Sequence, residues 1–334
     1  MSVSLGIIGC ARVVSRSIIE PLRYCPGVQV NALASLRFDE AAERAKKWNV
    51  ANLYRSYEDV LRSRELDAVY IPLANHLHKD WVVRAALENK HILVEKPVCL
   101  NVGEWKEIRR TCEKLGSTCW KRSWFATILG SRPFGSGYRI GDLATCSESG
   151  QQMSRPLPRT VEGEYRRDPT RGGGVLLDVG SYWIQFLQAV LADEPLRYEA
   201  ESSFDGPNGS DWTSKAAITF TGGVRAEALF SFDMPYEALY WLTFEGAEVR
   251  ISNFFRASLG AFKITLDIRY LESGVMEKVA FPSQNYYVNQ LSFFRNVVLG
   301  RATNLPIGEI EQRVLWMEQC RLAMQTKGQS DRGC

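Results

Sequence analysis

The sequence predicts a two-domain protein, an α/β domain followed by an α+β domain. Over residues 1–120, short apolar strands alternate with helical segments, which is typical of βαβ units with a parallel sheet. In the second half, strands follow one another across Gly and Asn/Asp turns, which is typical of one large antiparallel sheet. The length of 334 residues is ample for two cores. We place the boundary so that the domains are 1–120 and 121–334.

The first domain is expected to contain four buried strands and five helices. The strands are expected at Leu5–Gly9, Val28–Ser35, Asp67–Pro72 and His91–Glu95. The helices are expected at Ser15–Arg23, Asp39–Lys47, Tyr57–Arg62, Asp80–Asn89 and Val102–Leu115.

The second domain is expected to contain seven strands and three helices, whereas Ser117–Thr160 shows neither strand nor helix periodicity. The strands are expected at Tyr198–Glu201, Lys215–Thr221, Val224–Phe232, Leu239–Phe244, Val249–Ser252, Phe262–Tyr270 and Met276–Phe281. The helices are expected at Gly174–Leu191, Val288–Leu299 and Ile307–Gln325.

Composition narrows the functional classes. The net charge is +3 with both signs interspersed, which favours neither a nucleic-acid nor a membrane partner. No run of about 18 apolar residues is present, so a spanning helix is not expected. The N-terminus lacks the pattern of a signal peptide. The eight cysteines form no CxxC pair, so we expect no metal site and a reduced, cytoplasmic protein.

A glycine turn follows the first strand and opens a helix, which is the context that a dinucleotide site requires. A tight turn and a small following residue would let backbone N–H groups approach a pyrophosphate. Ala11 and Val14 replace the later glycines of the full fingerprint, so a generic strand–turn–helix remains an alternative. The candidate cofactor-binding residues of this turn are Gly9, Cys10, Ala11, Arg12 and Val13.

The end of the second strand bears on the choice between NADP and NAD. Ser35 and Arg37 offer a hydroxyl and a guanidinium, which suit a 2′-phosphate, so NADP is favoured. Asp39 lies close enough to keep NAD open. The alternative for Arg37 is a solvated loop charge.

Four local patterns together resemble the glucose–fructose oxidoreductase / inositol dehydrogenase / MocA (Gfo/Idh/MocA) family. They are GIIGCARV at 6–13, YIPLANHLH at 70–78, EKP at 95–97 and GGGVLLDVGSY at 172–182. Their order and spacing match over nearly the whole chain. The resemblance is greatest to the dihydrodiol and xylose dehydrogenase-like members and to nucleotide-sugar 3-ketoreductases.

The resemblance implies a Rossmann domain with a doubly wound parallel sheet and a C-terminal domain with a large, mostly antiparallel open sheet. It implies an active site between them and hydride transfer between NAD(P) and a carbon of a sugar, polyol or nucleotide-sugar. The C-terminal sheet often forms a subunit interface in the family, so a homo-oligomer is compatible with this chain. Further cofactor-binding candidates implied by the family are Pro72, Leu73, Asn75, His78, Glu95 and Lys96.

The catalytic candidates are Lys96, Tyr182 and Asp178. The resemblance places Lys96 beside the substrate and the nicotinamide, where its charge can stabilise a developing negative oxygen. A phenol beside a lysine can act as the proton donor, so we expect Tyr182 to be the general acid and base. Asp178, four residues earlier, is expected to orient them or to contact substrate hydroxyls. The alternatives are a core aromatic and a capping carboxylate.

The chain departs from the family pattern after Leu115. Relatives carry an Arg-x-His-Pro-like segment where this chain has Thr118–Leu129. Back-translation from Cys119 in a shifted frame can restore such a peptide, so a frame slip within 117–160 is one hypothesis. A frame slip would favour the alternative that the chain is a non-catalytic cofactor-binding relative, that is, a pseudo-enzyme or sensor. Chemistry with a recycled cofactor is a further alternative.

Overall fold

The computed structural model describes residues 1–115, 119–121, 146–191, 193–252, 263–283, 285–304 and 306–330, with only the backbone described for 119–121 and 327–330. These residues fall into two compact units. Unit 1 lies within Met1–Ser123 and Tyr287–Val314, and unit 2 lies within Trp124–Tyr286 and Leu315–Cys334.

Unit 1 is built on a six-stranded, all-parallel sheet with the strand order β3-β2-β1-β4-β5-β6. Its strands are β1 (Val3–Ile8), β2 (Val28–Ala34), β3 (Asn52–Tyr54), β4 (Ala68–Ile71), β5 (His91–Val94) and β6 (Cys119–Lys121). Its helices are α1 (Glu20–Leu22, continuing a π-helical segment Ser15–Ile19), α2 (Phe38–Trp48), α3 (Tyr57–Arg62), α4 (His78–Leu87) and α5 (Val102–Leu115).

Every strand and helix predicted for the first domain is present. Two strands were not predicted, the three-residue strands Asn52–Tyr54 and Cys119–Lys121. Both are too short to produce a periodic pattern. The second one pairs with β5 and begins the segment that departs from the family pattern, where we had expected no regular structure. The frame-slip hypothesis covers 117–160, of which 117–118 and 122–145 lie outside the described residues.

Unit 2 is built on an eight-stranded sheet with the order β14-β13-β12-β11-β7-β10-β9-β8. All pairs are antiparallel except that of β7 with β10. The strands are β7 (Cys146–Ser154), β8 (Pro195–Ser202), β9 (Thr213–Phe220), β10 (Arg225–Ser231), β11 (Glu237–Phe244), β12 (Ala247–Ser252), β13 (Thr265–Tyr270) and β14 (Met276–Ala280). Helix α6 (Ser181–Val190, after a π-helical segment Leu176–Gly180) lies between β7 and β8 in the chain, and α7 (Tyr286–Val298) and α8 (Ile307–Ser330) follow β14.

The predicted fold class is therefore confirmed, a parallel doubly wound sheet followed by a large, mostly antiparallel sheet. One correction concerns β7, which lies inside the stretch where we had expected no strand. It is a central strand between β10 and β11. Its sequence is polar, and Gly150 leaves room there for the Trp241 ring, since a Cβ on Gly150 would lie 1.9 Å from Trp241 Cζ2.

The segment Tyr287–Val314 packs with unit 1, although we had placed it in the second domain, 121–334. Leu291 and Phe294 of α7 are buried in the apolar cluster of β1 and β2. Ile310 and Val314 join the cluster on the other side, which α4 and α5 cover. The burial of these apolar side chains is the physical reason for the difference.

The described part of the chain contains no helix that is both long and apolar enough to cross a membrane. Within the same residues, no three His, Cys, Asp or Glu side chains are grouped so that they could hold a metal ion. Cys10, Cys25 and Cys320 are buried thiols.

Candidate active site

The strand order of unit 1 reverses between β1 and β4, and three of the predicted site segments lie beside this point. Gly9 follows β1, residues 72–75 follow β4, and residues 95–97 follow β5. In open parallel sheets, ligands bind in the crevice outside the carboxyl ends of the strands where the order reverses. The structure therefore brings these three segments to one edge of the sheet.

Gly9 has the conformation that a dinucleotide turn needs. Its φ is +109°, a region that residues with a Cβ rarely adopt. A Cβ there would lie 2.6 Å from Leu73 Cδ2 and 3.8 Å from the Pro72 carbonyl oxygen. The positive φ therefore favours glycine at this position, as the tight turn of a dinucleotide site does.

The rest of the turn leads directly into a helical segment that covers residues 13–22. Cys10 is buried, Ala11 and Val13 are half-buried, and Arg12 is exposed. Burial raises the pKa of the Cys10 thiol, although the nearby Arg44 acts in the opposite direction. Cys10 is therefore a neutral packing residue of the turn.

Behind the glycine turn, Glu40 connects two arginines. Its Oε2 lies 2.8 Å from Arg37 Nη1, and its Oε1 accepts a hydrogen bond from Arg44 Nη2. Arg44 Nη1 donates to the Cys10 carbonyl oxygen at 2.8 Å, so the network reaches the turn itself. Ser35 is buried and accepts the backbone N–H of Arg37 at 3.1 Å, while the Arg37 side chain is largely exposed.

The loop after β4 is fixed by buried polar residues. Asn75 and His78 are both inaccessible to solvent. His78 Nδ1 lies 2.6 Å from the Pro97 carbonyl oxygen and Nε2 lies 3.0 Å from the Leu73 carbonyl oxygen. Burial lowers the pKa of His78, although both carbonyl contacts act in the opposite direction. The imidazole thus holds two backbone segments together.

Lys96 is half-buried and follows Glu95 at the end of β5. The peptide bond from Lys96 to Pro97 is cis. The Tyr70 hydroxyl donates to Glu95 Oε1 and also lies 3.1 Å from Ser17 Oγ. The residues on both sides of Lys96 are therefore held by buried polar side chains.

In unit 2, Asp178 is buried and bound by Arg166. Nε and Nη2 of Arg166 donate to Oδ2 and Oδ1 of Asp178 at 2.8 and 3.0 Å. Arg166 Nη1 also lies 2.9 Å from Glu164 Oε1. Burial alone would lower the pKa of Arg166, but the Asp178 carboxylate raises it well above its ordinary value. Asp178 is therefore paired as a carboxylate.

Tyr182 lies in the first turn of α6 and exposes 9% of its surface. The preceding π-helical segment carries Asp178. Such wider turns are frequent at functional sites, and the helix after the glycine turn of unit 1 also begins with one, Ser15–Ile19. Tyr182 belongs to unit 2 and Lys96 to unit 1.

The start of this helical segment is anchored by Asp211. Its Oδ2 accepts the backbone N–H of Leu176 at 2.8 Å and the Ser214 hydroxyl at 3.1 Å. A Cβ on Gly174, whose φ is +98°, would lie 1.7 Å from Asp211 Oδ1. Burial raises the pKa of Asp211 to about 6, although these hydrogen bonds act in the opposite direction.

The sequence did not indicate four residues that contact the candidate segments, two in unit 1 and two in unit 2: Tyr70, Arg44, Arg166 and Asp211. Two of them carry a readable signal. Arg44 is four residues after Glu40 on a helix, a favourable spacing for an ion pair. Tyr70 is a phenol in a strand expected to be buried, and a buried hydroxyl needs a partner.

The sheet, the glycine turn and the lysine at the carboxyl edge define a dinucleotide-binding protein of the Rossmann class. The family described as an oxidoreductase family with an NAD-binding Rossmann fold matches residues 3–122. The GFO/IDH/MocA C-terminal domain matches residues 139–252. The chain therefore belongs to the GFO/IDH/MocA oxidoreductase family, which confirms the resemblance inferred from the motifs.

Two curated proteins and one solved structure illustrate the similarity. The uncharacterized oxidoreductase ORF334 of Rhizobium meliloti is 33% identical over 239 residues, covering 69% of this chain and 68% of that protein. A D-xylose 1-dehydrogenase (NADP(+)) of Haloferax volcanii is 31% identical over 241 residues, 70% of this chain and 71% of its own. The crystal structure of KijD10, a 3-ketoreductase from Actinomadura kijaniata with NADP and TDP-benzene, has a TM-score of 0.86. It is 22% identical and covers 97% of this chain and 98% of that one.

Proposed function

We propose that this oxidoreductase uses NADP(H) to transfer a hydride between the nicotinamide and a carbonyl or hydroxyl carbon of a sugar, polyol or nucleotide-sugar. The observation that carries the proposal is the arrangement at the carboxyl edge of the parallel sheet. Gly9, the loop after β4 and Lys96 lie there together, in a chain that belongs to an NAD-binding oxidoreductase family.

The site residues have distinct roles in this proposal. The backbone of Gly9, Cys10 and Ala11 holds the pyrophosphate, with Arg12 and Val13 opening the helix behind it. The loop that contains Pro72, Leu73 and Asn75 contacts the ribose and nicotinamide side. His78 and Glu95 support this loop and Lys96 from behind.

The bound cofactor supplies or accepts the hydride. The Lys96 ammonium donates a hydrogen bond to the substrate oxygen and stabilises the negative charge that develops on it. Tyr182 gives a proton to that oxygen in reduction and takes one in oxidation. Asp178, because both of its oxygens accept from Arg166, orients the segment before Tyr182 instead of moving a proton itself.

Preference for NADP is supported by the residues after β2. Arg37 is exposed and therefore able to reach a 2′-phosphate, while Ser35 fixes the turn that presents it. The xylose dehydrogenase relative is NADP-dependent by name, and the KijD10 crystals contain NADP. A sugar or nucleotide-sugar substrate is supported by the same two proteins. We further propose that the parallel unit binds the cofactor and that the antiparallel unit supplies substrate contacts and a homo-oligomer interface.

The test begins with the purified full chain. Thermal shift with NADP and NAD establishes cofactor binding, since a ligand that binds only the folded state raises the melting temperature. Nicotinamide absorbance is then followed with a panel of aldoses, cyclic polyols and nucleotide-sugars, in both directions. We expect a larger thermal shift with NADP and turnover with at least one member of the panel.

Two substitutions test the assigned roles. Lys96→Met is expected to lower kcat by about 100-fold or more, because a preorganised charge at the substrate oxygen is lost. Tyr182→Phe should lower kcat by about 100-fold through loss of proton transfer. The matched controls are Lys106→Met, an exposed lysine of α5, and Tyr198→Phe in β8, which should keep activity.

The outcomes separate the alternatives. Cofactor binding without turnover of any panel member would favour a non-catalytic relative. Product formation with no net change in nicotinamide absorbance would favour chemistry with a recycled cofactor. Absence of any NADP or NAD binding would overturn the proposal.

A further inference from the structure

Two completely buried polar side chains flank the segment that carries Lys96. Tyr70 and His78 both have 0% of their surface exposed, and neither can touch a ligand at the edge of the sheet. Each one makes its contact with an immediate neighbour of Lys96. Tyr70 contacts the side chain of Glu95, and His78 contacts the carbonyl of Pro97.

The Tyr70 contact begins inside the sheet. Tyr70 is a β4 residue paired with Ile7 of β1 and Leu93 of β5, so its position is fixed from both sides. Its hydroxyl donates to Glu95 Oε1 and lies 3.1 Å from Ser17 Oγ on the helical segment after the glycine turn. A hydrogen bond to a carboxylate is about twice as strong as a neutral one. The carboxylate next to Lys96 is therefore tied to the glycine-turn helix.

The His78 contact begins at the start of α4. Its Nδ1 lies 2.6 Å from the Pro97 carbonyl oxygen and its Nε2 lies 3.0 Å from the Leu73 carbonyl oxygen. A neutral imidazole carries one N–H, so it can donate to only one of these carbonyls. We place the proton on Nδ1, because its contact with the Pro97 carbonyl oxygen is the shorter of the two.

We propose that Tyr70 and His78 are positioning residues that fix Lys96 from its two sides, Tyr70 through the carboxylate of Glu95 and His78 through the carbonyl of Pro97. This inference rests on the proposed role of Lys96. Misplacement of a catalytic group by about 1 Å can cost about 100-fold in rate. A lysine with several rotatable bonds needs a fixed backbone origin if its ammonium is to meet the substrate oxygen.

The contacts of Tyr70 and His78 also involve the segments proposed to hold the cofactor. This is why the arrangement serves catalysis as well as folding. Ser17 belongs to the helical segment after the glycine turn, and His78 begins α4 directly after the loop that follows β4. The glycine turn and this loop are the two segments proposed to hold the dinucleotide. The ties therefore fix Lys96 relative to the cofactor-binding segments, which is the relationship that hydride transfer requires.

Tyr70→Phe tests the first tie, because it removes one hydroxyl and leaves the ring to fill the same space. We expect kcat to fall about tenfold or more while the KM for NADPH stays near wild type, since only the placement of Lys96 changes. Ser17→Ala removes only the contact with the helical segment after the glycine turn and leaves the bond to Glu95, so it should lower kcat less than Tyr70→Phe does. Tyr198→Phe is the matched control, because it removes the hydroxyl of a tyrosine in β8 and should retain kcat.

Two substitutions of His78 test the second tie. His78→Asn places an amide nitrogen near the position of Nδ1, so it can keep the bond to Pro97. His78→Gln places its amide near the position of Nε2, so it can reach only Leu73. We expect His78→Asn to retain more of the kcat than His78→Gln, with melting temperatures and NADP-induced thermal shifts recorded for both.

The Lys96→Met background separates positioning from a general structural effect. If Tyr70 acts through Lys96, Tyr70→Phe should have little further effect on the residual kcat of Lys96→Met, as expected for coupled residues. An equal loss in both backgrounds would overturn the inference. So would a Tyr70→Phe enzyme with normal kcat, or His78→Gln matching His78→Asn. Normal kcat in Lys96→Met would instead overturn the proposed function.

Discussion

Arg166 holds Asp178 with two parallel hydrogen bonds, from Nε to Oδ2 and from Nη2 to Oδ1. The Asp178 side chain is 3% exposed and that of Arg166 is 18% exposed, so the pair is largely desolvated. Each oxygen accepts one hydrogen bond from Arg166, which fixes the orientation of the carboxylate. The pair anchors Asp178 within unit 2, and the substrate contact that its position in the motif leaves open stays a prediction.

Removal of the Arg166 guanidinium should reveal the free-energy penalty of burying the Asp178 carboxylate without a partner. Arg166→Met is expected to lower the free energy of unfolding by about 3–5 kcal/mol, because it leaves the Asp178 carboxylate buried without its guanidinium. Urea unfolding at neutral pH measures this change. Arg166→Lys should recover only part of the loss, since an ammonium cannot reproduce the paired donors of a guanidinium.

Arg159 is the matched control for that prediction. It bonds Asp233 at 2.6 Å, but the side chains are 41% and 46% exposed. Arg159→Met should therefore lower the free energy of unfolding much less than Arg166→Met does, because solvent screens an exposed ion pair. A similar loss in Arg159→Met and Arg166→Met would contradict the importance assigned to the buried pair.

Gly174→Ala should destabilise the start of the helical segment that leads to Tyr182. The φ of Gly174 is +98°, and a Cβ would lie 1.7 Å from Asp211 Oδ1. We expect a loss of about 2–4 kcal/mol in the free energy of unfolding from backbone strain and overpacking together. Gly246→Ala is the control, because a Cβ there meets nothing within 4 Å and its φ is not positive. Equal effects of the two substitutions would argue against the close approach.

Asp211 predicts a specific dependence of stability on pH. Burial raises its pKa to about 6 from 3.8, so the folded protein holds this proton more tightly than the unfolded chain does. The stabilisation is fully present below a pH near 3.8 and is lost as the pH rises through about 6. The difference corresponds to about 3 kcal/mol.

Asp211→Asn removes this titration while keeping an oxygen for the Leu176 N–H. Relative to wild type, the variant should gain stability by up to about 3 kcal/mol between the acid and neutral ends of the range. Urea unfolding of both proteins across that range measures the difference. A difference in the free energy of unfolding that does not change with pH would show that Asp211 titrates normally.

The parts of the fold that could be predicted from the sequence are those with a local signal. Helices such as Tyr57–Arg62 and Val102–Leu115 were predicted with their observed bounds, because apolar spacing and flanking turn residues mark both ends. The strand Cys146–Ser154 was missed because its sequence is polar and its central position comes from pairing with β10 and β11, which lie far away in the chain.

The features of the candidate site also divide into those that the sequence predicts and those that only the structure reveals. The glycine turn and Lys96 could be predicted because each is a short motif at the end of a strand. The contacts of Asp178 with Arg166, and of Gly174 with Asp211, could not be predicted, because no pattern in one sequence pairs residues across a turn or between a helix and a loop. Motifs thus indicate which residues matter, and tertiary contacts decide what each one does.

The Arg37–Glu40–Arg44 network predicts how the preference between NADPH and NADH responds to charge. Glu40 holds Arg37 Nη1 at 2.8 Å, and the same carboxylate accepts from Arg44. A 2′-phosphate bound by Arg37 would have to compete with this carboxylate. Arg37→Ala should therefore lower the ratio of kcat/KM for NADPH over NADH by about tenfold or more, the value of a charged hydrogen bond.

Glu40→Gln should change the same ratio in the opposite direction, because it removes the competing negative charge and releases both arginines to the phosphate. Arg62→Ala, an exposed arginine at the end of α3, is the control for net charge and should leave the ratio unchanged. Initial rates with the two reduced cofactors at fixed ionic strength measure all three variants. If Arg37→Ala lowered kcat/KM equally for NADPH and NADH, Arg37 would be a support of the turn and not the residue that selects the phosphate.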